Sequence, residues 1–174
     1  MIKKITRCKR CDLCQNQSPL LDKNTEKIDV MWVGLSAKQV KDKNHAYPLA
    51  PDTNSGKIIL EIEELLPNIT FYKTNIVKCL PLNDKNKIRY PSKIEIETCL
   101  PNLIKEIEIL NPKVIILLGG LVSQFFYSYL KNNNSSLHNS KIVSVKHPSY
   151  IATYKRKNKN EYQKEICDLI NNAV

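Results

Sequence analysis

Nowhere does the 174-residue chain hold the ~20 consecutive apolar residues that a membrane-spanning helix needs. Its longest nearly unbroken apolar stretch runs from Val114 to Val122 and contains two glycines. A bilayer-spanning helix is therefore not expected. The start, Met1-Ile-Lys-Lys-Ile-Thr-Arg-Cys8, is basic but is followed by neither an apolar stretch nor a small-residue cleavage site. Secretion is accordingly not expected, and the cytoplasm is. No internal repeat is visible. The composition, 42% apolar and 25% charged, is that of a globular protein and excludes a disordered tail or a fibre. The length suits one domain, residues 1–174, better than two.

What the chain has in excess is positive charge. Lys and Arg number 27 against 17 Asp and Glu, a formal +10, which favours polyanionic partners, nucleic acid first, through counterion release. Only four of the 27 are arginine, so a coding bias toward lysine is an equally simple source of the excess. Two basic blocks stand out: Lys3, Lys4, Arg7, Lys9 and Arg10 at the start, and Lys155, Arg156, Lys157 and Lys159 near the end. Each also reads as a solvated face.

Apolar periodicity predicts alternating strands and helices. Ile28 to Leu35, Ile69 to Val77, Val114 to Leu118 and Lys141 to Val145 read as strands, rich in β-branched residues and apolar on both faces. Ser55 to Leu66 and Leu121 to Leu130 follow helical spacing, and a third helix is expected around Glu161 to Asn171. Ser92-Lys-Ile-Glu95 has the spacing of a capping box, so a helix should run from Lys93 to Leu110 with Cys99, Leu103, Ile107 and Leu110 buried. The simplest architecture is a three-layer α/β/α fold around a four-stranded parallel sheet. Ligands of such sheets bind beyond the carboxyl ends of the strands. Here that places Gly34 to Lys38, Asn75 to Cys79, Gly119-Gly120 and His147 to Tyr150 around one crevice.

Six cysteines in a reducing compartment point to metal ligands, catalytic groups or buried apolar residues before disulfides. Three lie in Cys8-Lys-Arg-Cys11-Asp-Leu-Cys14; the others are Cys79, Cys99 and Cys167. Four soft thiolates suit zinc or an iron-sulfur cluster. The second pair, split between a strand end and a helix, differs from the two tight pairs of a structural zinc site and favours a cluster. Cys99, on an apolar stripe, is also readable as a small core residue, and Cys167, beside Ile166 and Ile170, reads as core.

Taken in order, these features resemble a known family. Cys8-x-x-Cys11-x-Leu13, Thr74-Asn-Ile-Val-Lys-Cys79-Leu-Pro81, the Cys99-x-x-x-Leu103 helix, Asn111-Pro-Lys-Val-Ile-Ile-Leu-Leu-Gly119 and His147-Pro-Ser-Tyr150 look like the uracil-DNA glycosylase superfamily, in particular its iron-sulfur branch, family four. The ordered set is more specific than any single motif. The resemblance implies a DNA repair glycosylase acting on DNA that carries uracil or a related deaminated base, expected as a monomer. It implies a 4Fe-4S cluster on Cys8, Cys11, Cys79 and Cys99, with zinc as the alternative and Cys14 as an extra thiol. It further implies that Asn75 reads the Watson–Crick edge of the base and that His147 stabilises the departing base. Gly34, Leu35 and Leu49 would line the base, while Lys38, Ser149, Tyr150, Lys155 and Arg156 would meet the DNA.

Those roles have a physical basis. A base inside a duplex must be extruded into a pocket before its glycosidic bond can be reached. A side-chain amide then offers the pyrimidine edge both a donor and an acceptor. Bond cleavage leaves an anionic base, which a fixed donor stabilises. The chain also departs from the family. Gly34-Leu35-Ser36-Ala37-Lys38 stands where the family has Gly-Glu-x-Pro-Gly, so the acid that handles water is missing. Asp42, eight residues after Gly34, is the candidate replacement, with a solvated loop residue between Lys41 and Lys43 as its alternative. Pro48-Leu49 replaces Pro-Phe, which reduces a base-stacking contribution of roughly 1–3 kcal/mol. Loss of the acid keeps a second expectation open: a catalytically inactive iron-sulfur homologue that binds nucleic acid.

Overall fold

The computed structural model describes residues 2–24, 26–40, 46–133, 137 and 139–174. Four strands, β1 (Val30–Ser36), β2 (Phe71–Val77), β3 (Val114–Leu118) and β4 (Lys141–Val145), form one sheet in the order β2-β1-β3-β4, every pair parallel. Among the described residues six α-helices accompany them: α1 (Leu13–Asn16), α2 (Asn54–Glu64), α3 (Lys93–Leu110), α4 (Gly120–Asn132), α5 (Pro148–Tyr154) and α6 (Lys159–Asn171). A 3₁₀ segment, Ile2–Arg7, opens the chain, and a short one, Arg156–Asn158, joins α5 to α6. The expected four strands and parallel arrangement are present.

Side chains alternate across the sheet with period two, and β1, β2 and β3 bury both faces, while the edge strand β4 is only partly covered. Met31, Val33, Tyr72, Ile115 and Leu117 point to one side, where α3 and α4 supply Leu100, Leu103, Ile107, Val122 and Phe126. Val30, Trp32, Val114, Ile116 and Leu118 point to the other, against Ile58, Ile59 and Ile62 of α2 and Ile166 and Ile170 of α6. Cys167 packs in this second core, as expected. Ser92 accepts the Glu95 N–H at 3.3 Å while its own N–H donates to Glu95 Oε2 at 2.6 Å, the reciprocal cap expected for α3.

The segment His147 to Tyr150, expected as a strand-end loop, instead opens α5. The His147 side chain caps that helix and Pro148 occupies its first position, where a missing N–H costs nothing. The N-terminal segment is tied to the strand ends by its own hydrogen bonds. Asn16 Nδ2 donates to Leu80 O (2.9 Å), Leu20 N to Lys78 O (2.8 Å) and Gln17 Nε2 to Lys38 O (3.0 Å).

A buried polar network crosses the first core. The Lys78 ammonium, fully buried, donates to Thr74 Oγ1 (2.7 Å) and to the Asn75 carbonyl (2.5 Å), and pairs with Glu106 of α3. Glu106, also fully buried, accepts in addition from Tyr72 Oη (2.9 Å) and Thr74 Oγ1 (3.0 Å). All three ammonium protons therefore have acceptors, the condition under which a buried ion pair is tolerated. Removing one partner strands the other charge. Lys78→Met is expected to lower stability by about 3–5 kcal/mol in urea unfolding; a loss below about 1 kcal/mol would contradict this reading of the network.

Candidate active site

The carboxyl ends of the strands open into a crevice of about 580 Å³, within the range of small-ligand pockets. β1 contributes Gly34, Leu35 and Ser36, followed by Lys38; β2 contributes Asn75; Gly119 and Gly120 follow β3; His147 and Ser149 follow β4. Pro48 and Leu49 also line it, together with Ile88, Arg89 and Tyr90 from the segment between β2 and α3. All four strand-end segments picked out by pattern thus share one space. Asn75 and His147, 72 positions apart along the chain, both face it.

Two glycines make this convergence possible. Gly34 pairs in register with Asn75, and a Cβ on Gly34 would fall on Asn75 Oδ1. Gly119 holds φ +96, and a Cβ there would press to 3.3 Å from the His147 Cβ, so only glycine fits without strain. Leu49 holds φ 55, a left-handed conformation that costs a residue with a Cβ about 1–2 kcal/mol. Strain of this kind gathers at functional sites. Asn75 itself is buried, and its carbonyl is the one gripped by Lys78.

The His147 ring is largely withdrawn from water, and burial pulls its pKa below the ordinary 6.5, so it is neutral at pH 7. Its Nδ1 accepts the Ser149 backbone N–H at 3.2 Å and lies 2.7 Å from Ser149 Oγ. An accepting Nδ1 leaves the ring proton on Nε2. Lys38 pairs with Asp52, and burial lowers its pKa, so its charge is partly spent inside the protein. Among the described residues that line the crevice there is no aspartate or glutamate. Asp42 lies outside the described residues.

Tyr150, Lys155 and Arg156 are exposed on α5 and just beyond it, and are not among the residues lining the crevice. The Tyr150 and Tyr154 rings lie 5.5 Å apart, and Arg156 Nε donates to Ala152 O at 2.8 Å. Sequence reasoning missed Arg89 and Tyr90. The scarcity of arginine was the available signal, since Arg89 is one of only four. Its guanidinium clamps Glu95 through two bonds (2.8 and 2.6 Å) and donates to Leu82 O (2.9 Å) and Tyr90 O (3.0 Å), bracing this wall.

A second, small pocket is lined by Cys8, Cys11, Cys14, Cys79 and Cys99, with Lys78 and Asn102. Cys79 and Cys99 are buried. Burial pushes the Cys79 thiol up to about 12, and the neighbouring Cys99, Cys11, Cys14 and Cys8 add to the rise. Burial raises the Cys11 thiol as well. All six cysteines are free. Among the described residues no three His, Cys, Asp or Glu side chains close on one point as a single ion requires. As a donor set, four soft thiolates from two distant parts of the chain fit a metal–sulfur group.

A parallel α/β fold with a site at its strand ends narrows the class, and comparison with known proteins narrows it further. The sequence matches the uracil DNA glycosylase superfamily over residues 15–170. The type-4 uracil-DNA glycosylase of Sulfurisphaera tokodaii is 31% identical over 154 residues, 86% of this chain and 64% of that protein. Those of Archaeoglobus fulgidus and Thermotoga maritima are 23% and 26% identical, over 95% and 98% of this chain and 88% and 89% of theirs. The chain therefore spans 64% of the first relative's length and nearly nine-tenths of the other two. The crystal structure of wild-type SMUG2 from Pedobacter heparinus shares the fold, with a TM-score of 0.61 over 83% of this chain and 75% of that one at 14% identity. The chain belongs to the uracil DNA glycosylase superfamily.

The brace at the crevice wall gives a pH prediction. Arg89 holds the Glu95 carboxyl down to about 2, against an ordinary 4.5. A depressed folded-state pKa contributes stability that is complete above 4.5 and is lost as pH falls through about 2. Glu95→Gln is therefore expected to lower the urea midpoint at pH 7, with the gap to the parent narrowing steadily below pH 4.5. A gap independent of pH would remove the ion pair from the account.

Proposed function

We propose that this chain is a DNA glycosylase that hydrolyses the N-glycosidic bond of uracil, or a related deaminated base, after flipping it into the strand-end crevice. The observation that carries this is the meeting of Asn75 and a neutral His147 in one crevice, about 580 Å³ and so large enough to admit a nucleobase. Family membership supports it. Asn75 supplies a donor and an acceptor to the pyrimidine edge. Gly34, Leu35 and Leu49 bound the base, with Leu49 in place of an aromatic. His147, its Nδ1 occupied by Ser149, presents Nε2–H to the base carbonyl on which negative charge develops as the bond breaks. The neutral ring already carries the Nε2 proton it donates, so no change of protonation has to precede bond cleavage.

With no carboxylate among the described crevice residues, barrier lowering falls mainly on the departing base. Asp42 is the proposed group that orients the attacking water. Lys38, Ser149, Tyr150, Lys155 and Arg156 are proposed to meet the DNA backbone and its neighbouring bases, an electrostatic contribution that salt would weaken. Cys8, Cys11, Cys79 and Cys99 are the proposed ligands of a 4Fe-4S cluster. When bound, it would cross-link the N-terminal segment to β2 and α3 beside the crevice. That no acid stands among the described crevice residues also favours a second reading, a homologue that binds DNA and leaves it intact.

Incubating iron-loaded protein with uracil-containing single- and double-stranded oligonucleotides should yield abasic sites; tight binding without them would favour the second reading. His147→Ala is expected to reduce kcat by about 10²–10³-fold, the loss typical of removing one charge-stabilising donor. Gly34→Ala, which drives a methyl group into Asn75, should abolish excision while circular dichroism stays that of the parent. Protonating Nδ1 would break its bond from the Ser149 N–H and release the ring from its aim, so the rate should fall on the acid side, below pH 6.5. A rate that rises there would contradict the neutral donor.

A further inference from the structure

Asn102 lies one turn beyond Cys99 on α3 and is 5% exposed. Leu100, Leu103 and Ile104 around it are all buried. An asparagine in the middle of a helix and inside a core is doubly unfavourable: it is a poor helix former, and its amide must be withdrawn from water. Leucine would suit the position better on both counts. What the amide has in exchange is sulfur. Its Nδ2 stands 3.5 Å from Cys8 Sγ, 94 positions away along the chain, and 4.0 Å from Cys99 Sγ, and so bridges the two thiols. It also lines the thiol pocket.

A protonated thiol is a weak acceptor, a meagre return for a buried amide. A metal-bound thiolate carries negative charge, and a hydrogen bond to it is about twice as strong as one between neutral groups. The neighbouring cation cannot do this work, because the three ammonium protons of Lys78 are committed to Thr74, Asn75 and Glu106. We infer that Asn102 is the positioning residue of the metal–sulfur centre: its N–H groups hold the Cys8 and Cys99 thiolates in place and stabilise the charge on them. The inference rests on the cluster reading given above. Donors of this kind, outside the ligand set, are worth about 10- to 100-fold in metal retention. Hydrogen bonds to the sulfurs also favour the reduced, more negative centre and so raise its potential.

The test compares purified, iron-loaded parent protein with Asn102→Leu and Asn102→Asp. Two quantities are read: iron per chain after a timed chelator challenge, and the midpoint potential from a dithionite titration followed by visible absorbance. Both variants are expected to lose iron about 10- to 100-fold faster than the parent, and Asn102→Leu to show a lower potential. The leucine variant keeps the helix and the core, so a purely structural role for Asn102 would leave potential and iron retention unchanged; that result overturns the inference. If Asn102→Asp fails to fold, the leucine variant alone decides. A parent protein that is colourless and holds stoichiometric zinc would overturn the cluster reading itself, and this inference with it.

Discussion

One buried ammonium organises the working half of the molecule. Lys78 has no access to water and spends its three protons on Thr74, the Asn75 carbonyl and Glu106. Those contacts fix the end of β2 against α3, and the same residue lines the thiol pocket on the other side. The amide proposed to read the base and the cysteines proposed to hold the cluster are therefore set by one rigid element. Such a network is costly unless every member is satisfied, and here the acceptors come from two consecutive strand residues and one helix. Precision at Asn75 follows from the charge buried behind it.

The crevice divides its labour unevenly. On one side stand an amide and a neutral imidazole whose proton is held on Nε2 by the Ser149 contacts. On the other, where the family places an acid, the chain has Leu35 and Ser36. On the proposed reading, such a site stabilises charge on the leaving group more than it activates the entering water, and aliphatic side chains, Leu35, Leu49 and Ile88 among them, line much of it. The left-handed backbone at Leu49 sets one wall of the crevice.

The sheet was legible because β1 and β3 carry near-continuous apolar runs and β2 and β4 are rich in β-branched residues, the signature of strands covered on both faces. The capping box at Ser92 likewise announced α3 to the residue. Short elements were not legible. The Ile2–Arg7 turn packs against α3 and Leu13–Asn16 is tied to Leu80, contacts distant in sequence that a local pattern does not record. The start of α5 was hidden because histidine is an unusual cap, although Pro148 after it was a fair hint. Within the site, Asn75 and His147 stood out through motif order, whereas Arg89 and Tyr90 sit in an irregular segment whose position depends on the Glu95 clamp. The left-handed turn at Leu49 leaves no trace in composition at all.

The most direct measurement is a structure of the protein bound to single-stranded DNA bearing a non-hydrolysable uracil nucleotide. The account predicts the uracil everted into the strand-end crevice, its Watson–Crick edge within hydrogen-bonding distance of the Asn75 amide and one carbonyl facing His147 Nε2. A uracil left stacked in the strand, or seated away from both side chains, would contradict it.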